Sequence, residues 1–373
     1  MAKKTMKQAI ISGDLSVTIE SNIPIPEPAA DEVVIRAVYS GINPIDWKGA
    51  NAELSKALHG DVENPDHGPV GKDFAGYVYA VGSEAYQFHV GDRVMAVNHS
   101  TGFAEYSVGK SFSTAVIPKH VSFEEAATFG LPYLTAALLM FKGKPLPTPW
   151  NPAPGLTRTP LLVYGASSAV GAFAVKLAKL ANIHPIIAIA GASSGSIEKE
   201  LNSDLGDVLL DYRQDRAKLL QNIKHIADDI HYAADAIGSP ETAAFCAQAV
   251  NPTDSTVTSS VGDPWDNTVK DRSPLGVEFH LAFSPGVFEP NDPEGPEGKN
   301  SPNLGPKAFA TIAMAYLSCA LQRRLIQPHP YEVQPEGLGS LSRSLTELKE
   351  GKSRGLRYVL EIAASSGFAK VGE

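Results

Sequence analysis

The segment Gly165-Ala166-Ser167-Ser168-Ala169-Val170-Gly171 has the residue types of a phosphate-binding turn. It follows the apolar run Leu161-Leu162-Val163-Tyr164 and leads into a helical pattern from Ala169 to Asn182. At a helix N-terminus, free backbone N–H groups and the helix dipole point at an anion, and small residues let the backbone come close to it. Against the G-x-G-x-x-G dinucleotide fingerprint, the hexad Ala166 to Gly171 keeps only the last glycine, which lets the helix lie against the strand. An ordinary βα turn of small residues has the same composition, so the flanking elements must decide. Roughly twenty residues further on, where an NAD site places an Asp or Glu on the ribose 2′-hydroxyl, stand Gly191-Ala192-Ser193-Ser194. Without that acid nothing repels a 2′-phosphate, and the hydroxyls of Ser193 and Ser194 can donate to it. The residues therefore predict NADPH over NADH, with Tyr212 offering a further donor or a stacking face.

The elements that must position this loop can be read from hydrophobic pattern. Pro185-Ile-Ile-Ala-Ile-Ala190 is a second strand, so residues 160 to 194 form a βαβ unit. Alternation continues with strands at Val208–Asp211, Tyr232–Ile237 and Thr256–Ser260 and helices near 214–228 and 240–249, which predicts a doubly wound parallel sheet. Before this region the chain reads as β from about residue 5 to 118. Val33–Val38, Gly76–Val81 and Ala104–Val108 are strand-like runs, punctuated by Gly82, Gly91-Asp92 and Gly102. Ser122-Phe-Glu-Glu125 marks a helix start, and Pro132–Phe141 reads as a buried helix. Six prolines between 145 and 160 exclude helix and predict an exposed connection. Residues 284 to 306, rich in Pro, Gly, Asn, Asp and Glu, predict a long surface loop or a lid. Ala308–Leu321 predicts a packed helix, and Arg357–Ile362 a closing strand.

Composition excludes several classes. A chain of 373 residues is long enough for two domains. Hydrophobic and charged fractions of 43% and 20% are those of a globular protein rather than a disordered or membrane one. A net charge of -9 without a basic stripe speaks against nucleic-acid binding. No apolar stretch has the length of a signal or membrane-spanning segment, which makes the cytoplasm the expected location. The two cysteines, Cys246 and Cys319, are too few for a disulfide framework or a four-cysteine zinc site, and are expected to be buried thiols.

Gly41-Ile-Asn-Pro-Ile-Asp-Trp-Lys48, Gly71-Lys-Asp-Phe-Ala-Gly-Tyr-Val78, Val81-Gly82, Val90-Gly91-Asp92-Arg93-Val94 and the phosphate loop follow one another as in the medium-chain dehydrogenase/reductase superfamily. The chain resembles that superfamily over nearly its whole length. The resemblance implies an α/β protein with a GroES-like β-barrel catalytic domain at 1–130 and 326–373 and a Rossmann NADPH-binding domain at 131–325. Zinc-dependent members carry a cysteine just after the Gly41 region and a Gly-His-Glu in place of Gly71-Lys72-Asp73. Both ligands are missing here, and His67 alone is no metal site, so the chain is similar to the zinc-free quinone oxidoreductase and enoyl reductase branch. Asn43-Pro-x-Asp-x-Lys48, Leu134-Thr-Ala-Ala137, Lys144-Pro-Leu-Pro147, Ser167–Val170, Asp211-Tyr-Arg213 and Phe245-Cys246 resemble most closely the fungal trans-acting enoyl reductases that serve polyketide synthases.

From this resemblance follows hydride transfer from NADPH to the β-carbon of an α,β-unsaturated thioester or ketone, with no metal and with a polyketide synthase as partner. It places Lys48 and Thr135 as the catalytic pair beside the nicotinamide or the substrate carbonyl. Ile45, Asp46, Trp47, Lys48, Ser167, Ser168, Ala169, Val170, Ser193, Ser194, Tyr212, Ser260, Val261 and Arg357 would contact the cofactor. Leu134, Thr135, Leu138, Phe279 and Leu281 would line the substrate. Lys48, Tyr133 and water remain open as donors of the α-proton. Two other readings stay beside this one: a free-standing reductase of diffusible quinones or enones, and an NADPH-binding sensor without chemistry.

Overall fold

The computed structural model describes residues 4–50, 67–69, 71–98, 101–155, 157–191, 194–260, 276–282, 287–288 and 305–362. Along the chain the strands are β1 (Thr5–Ser12), β2 (Val17–Pro24), β3 (Glu32–Gly41), β4 (His67–Pro69), β5 (Asp73–Val81), β6 (Arg93–Val97), β7 (Tyr106–Lys110) and β8 (Thr114–Val116). Then come β9 (Arg158–Tyr164), β10 (His184–Ala190), β11 (Val208–Asp211), β12 (Tyr232–Asp235), β13 (Ser255–Ser260), β14 (Val277–Ala282), β15 (Tyr331–Gln334) and β16 (Arg357–Glu361). The chain divides into two compact units: Met1–Leu131 with Ala310–Glu373, and Pro132–Phe309.

The first unit is built on β3, whose Val33, Val34 and Ile35 are wholly buried. β3 pairs antiparallel with β5 on one edge and with β7 and then β16 on the other. Register shifts at Val34/Ile35 and Ala37/Tyr39 bend the strand where it changes partner, as bulges do. The resulting seven-stranded sheet has the order β15-β16-β3-β5-β6-β8 with β7 on β3, and β2-β1-β4 forms a smaller sheet. Gly76 of β5 is required by this crowding, because a Cβ there would lie 2.0 Å from the Arg36 carbonyl oxygen. Ile11, Ile35, Phe74, Val94 and Phe103 form one core with Leu341 and Leu345 of the helix Leu341–Lys349 and with Leu360 of β16. Both ends of the chain are thus needed to close this unit.

In the second unit all six strands run parallel in the order β11-β10-β9-β12-β13-β14, so the first strand, β9, sits mid-sheet and the chain reverses direction of winding beside it. The crevice between the carboxyl ends of β9 and β12 is the switch point at which open α/β sheets bind ligands. Pro185–Ala190 is buried throughout, as a strand covered on both faces must be. Pro160 lies inside β9, so the strand begins within the stretch expected to be an exposed connection. It is tolerated because the β9–β10 register slips between His184 and Ile186, opposite Pro185, where no ladder bond is lost.

Two further differences concern the C-terminal part of the chain. Cys319 is exposed, not buried. On its helix, Pro306–Gln322, the buried stripe runs through Phe309, Ala310, Ala313, Met314, Leu317, Ala320 and Leu321, and Cys319 falls outside it. The return to the first unit comes at Ala310 rather than 326, and the end of this helix is held by the His120 ring 3.1 Å from the Leu321 carbonyl oxygen. Most of the expected loop at 284–306 lies outside the described residues. Among the described residues, no helix is long and apolar enough to cross a membrane.

Candidate functional site

At the switch point of the second unit the chain leaves β9 through Gly165, whose φ of +74° belongs to the left-handed region and whose missing side chain leaves room for Ile237. The helix Ala169–Leu180 begins immediately afterwards, with Ser168 as its N-cap and the Ser168 hydroxyl accepting from Gly171 N–H at 3.1 Å. Gly171 packs so tightly on the turn that a Cβ would stand 2.2 Å from the Gly165 oxygen. One glycine therefore turns the chain and another seats the helix on it. Ser167, Ala169 and Val170 are half-buried around the free N–H groups of the first turn. This cradle has the donors, the dipole and the backbone access that a pyrophosphate requires. At the end of β10 a side chain on Gly191 would meet the Tyr212 ring at 2.7 Å, so the exposed Tyr212 covers the position that would otherwise carry the acid. Ser194 begins the helix Gly195–Glu198 without using its hydroxyl as a cap.

Asp235, at the end of β12, ties the sheet together below this loop. Its carboxylate accepts from Ile237 N–H, Gly238 N–H, Thr242 Oγ1 and Ser259 Oγ at 2.8 to 3.1 Å. Tyr133 is fully buried edge-on to Phe173, and Leu134 and Leu138 are core residues too. Thr135 is 7% exposed on the helix Gly130–Phe141. Of the remaining expected residues, Ser260 is buried, Phe279 packs on the core, and Leu281 is exposed. Ser193 and Val261 lie outside the described residues.

The first unit holds a different kind of centre. Asn43 caps the one-turn helix Pro44–Lys48, and its N–H donates to Asp46 Oδ2 at 2.7 Å. The Asn43 side chain donates to Asp73 Oδ2 at 2.9 Å and accepts from Arg357 Nη1 at 3.0 Å. Arg357 also pairs with Asp73 and donates from Nε to the Ala127 carbonyl oxygen at 3.3 Å. The other Asp73 oxygen accepts the N–H of Leu131, in the first turn of the Thr135-bearing helix. Gly41 and Gly130 leave the space: a Cβ at either would lie within 2.4 Å of a neighbouring oxygen. Asp46 and Arg357, expected at the cofactor, thus have their charged ends committed to the interior of this unit. Burial pushes the Asp46 carboxyl up to about 7, with the nearby Lys72 charge opposing that rise. Burial also draws Lys72 below the usual lysine range. Ile45 and Lys48 are half-buried. The Lys48 ammonium stands 5.7 Å from the centre of the Trp47 ring, and that of Lys349 stands 5.9 Å from it.

From sequence, Asn43, Lys72 and Asp73 stand out only as members of the matching segments. One signal is present for Asp73, an acid that opens the apolar run Asp73-Phe-Ala.

The Alcohol dehydrogenase GroES-like domain matches residues 29–129, which covers most of these groups. Trans-enoyl reductase fsr4 of Gibberella fujikuroi is 36% identical over 63% of this chain and 69% of its own length. A second trans-enoyl reductase of the same organism is 30% identical over 91% of this chain and 93% of its own length. The chain belongs to the trans-enoyl reductase family. Among solved structures, the CurK enoyl reductase has a TM-score of 0.73 at 18% identity, covering 95% of this chain and 99% of its own; at that identity it attests the fold. The GroES-like and Rossmann organisation of this trans-enoyl reductase family member therefore agrees with the reading from sequence, and so does its placement in the zinc-free branch.

Proposed function

We propose that this chain is an NADPH-dependent enoyl reductase acting on an α,β-unsaturated acyl thioester carried by a polyketide synthase. The observation that carries the reading is the cradle at the β9–β12 switch point, in a chain whose relatives along nearly its full length are trans-enoyl reductases. Ser167, Ala169 and Val170 present the N–H groups that would hold the pyrophosphate, the Ser168 N–H being taken by the Gly165 carbonyl oxygen at 2.9 Å. The absence of an acid at Gly191, with Ser194 and Tyr212 beside it, favours the 2′-phosphate and hence NADPH over NADH. NADPH bound there would supply the hydride that adds to the β-carbon, and a proton taken up at the α-carbon would complete the reduction. Negative charge then develops on the thioester oxygen, and a fixed cation or hydroxyl stabilises it. Lys48 and Thr135 take these parts, by their match to the family's motifs, and Trp47 limits the freedom of the Lys48 ammonium.

The test is single-turnover oxidation of NADPH with a crotonyl-type thioester, comparing wild type with Lys48→Ala. A fall of about a hundredfold is expected for the variant, and an unchanged rate removes Lys48 from the mechanism. NADPH binding with no turnover of thioester or quinone would indicate a sensor instead.

A further inference from the structure

Four charged groups meet in the interior of the first unit: Asp46, Lys72, Asp73 and Arg357. They are not equally provided for. Asp73 has donors on both oxygens, from Leu131, Asn43 and Arg357. Asp46 accepts from Asn43 N–H through one oxygen, while the other is buried without a hydrogen-bond partner. Such an oxygen is costly to keep, because it has lost water and gained nothing in exchange. An asparagine would accept the same N–H without bringing a charge. What the carboxylate adds is a negative charge that attracts Lys72.

Asp46 also has a particular place. It belongs to the turn Pro44–Lys48, two residues before Lys48, and its bond to Asn43 closes that turn. From the helix Leu341–Lys349, which packs against the turn, Lys349 reaches the same Trp47 ring as Lys48. The charged groups acting on Asp46 are Lys72 before β5, Asp73 within it, and Arg357 of β16.

We propose that Asp46 is a positioning residue for Lys48, and that its ionised form, balanced by Lys72, is the form that holds the turn for turnover. The proposal rests on the reading of Lys48 given above and adds a residue to it. When Asp46 takes up a proton, Lys72 and Arg357 lose the negative charge that Asp46 presents to them beneath the turn. Ionisation restores that attraction. Burial brings this change to about pH 7, so turnover rises as pH passes upward through that value. The sign for stability is opposite. Because the folded-state value lies above the ordinary value of 3.8, the folded chain binds the proton more readily than the unfolded one. The stability contribution is complete below 3.8 and is lost as pH rises through about 7.

The deciding experiment measures kcat, KM and Tm of the full chain between about pH 5 and 9 for wild type, Asp46→Asn and Lys72→Met. Asp46→Asn mimics the protonated form at every pH. It is expected to lack the rise in kcat near neutrality, to run about tenfold slower than wild type in alkali, and to melt higher than wild type there. A purely structural role would lower Tm and leave the shape of the pH profile unchanged. In Lys72→Met the rise in kcat is expected to move to higher pH, because Asp46 loses its counter-charge. A rise that persists in Asp46→Asn, or full activity of that variant at all pH values, overturns the proposal. An unshifted rise in Lys72→Met removes Lys72 from it. If Lys48→Ala is slow while Asp46→Asn keeps the wild-type profile, only this inference falls; if Lys48→Ala is unchanged, both fall.

Discussion

The two units solve the problem of holding charge in opposite ways. Around Gly165 to Gly171 the groups proposed to hold an anion are backbone N–H groups at a helix start, in a turn built of small residues. Around Asp73 the charges are side chains, removed from solvent and closed on one another by Asn43 and Arg357. The first arrangement is open to a ligand and gains its strength when the ligand arrives. The second is complete within the protein and serves by being rigid. Small residues are needed in both places, at Gly165 to turn the chain, at Gly171 to seat the helix on that turn, and at Gly41 and Gly130 to admit a neighbouring side chain or carbonyl.

This contrast is open to experiment. The largest effect is expected from Asp73→Asn, which leaves the Arg357 cation buried without its counter-charge. Breaking one side of a buried pair costs about 3–5 kcal/mol, so a large fall in Tm should appear by calorimetry with or without NADPH. A Tm within a degree or so of wild type would show the pair to be dispensable. Gly171→Ala comes next. The added methyl meets the Gly165 carbonyl and must push the helix outward, at about 1–3 kcal/mol. Affinity for NADPH, followed by its fluorescence, should fall by more than stability does, because the displaced turn is the ligand's own seat. The smallest effect is that of Ser168→Ala, where loss of the cap costs about 1 kcal/mol. If Ser168→Ala weakened NADPH more than Gly171→Ala, the hydroxyl rather than the backbone would be the main anion contact.

The Rossmann half was largely legible because a buried parallel strand is a continuous apolar run: Leu161–Tyr164 and Pro185–Ala190 declared themselves. The loop between them was legible from its small residues and from Gly171 in particular. The barrel was readable as strands but not as a closed structure, since β16 and the helix Leu341–Lys349 join its core from the far end of the chain. No local pattern announces that Arg357 completes a site begun at Asn43. For Asp46 and Arg357 too, charge in a motif marks importance, while the partners their charged ends meet within the first unit are a matter of three-dimensional contact. Cys319 shows the limit at smaller scale, because composition gives a cysteine's tendency and helical phase gives its face.

The bond between Asp73 and Arg357 spans 284 residues, and this sets a timetable for a chain made from its N-terminus. At ribosomal speeds of about 5–20 residues per second, Asp73 waits roughly 15 to 55 seconds for its counter-ion to be synthesised. The whole nucleotide-binding unit, from Pro132 to Phe309, emerges in that interval. The inserted unit can therefore finish folding while the barrel around it is still without its last strand. The half of the protein that begins first is completed last.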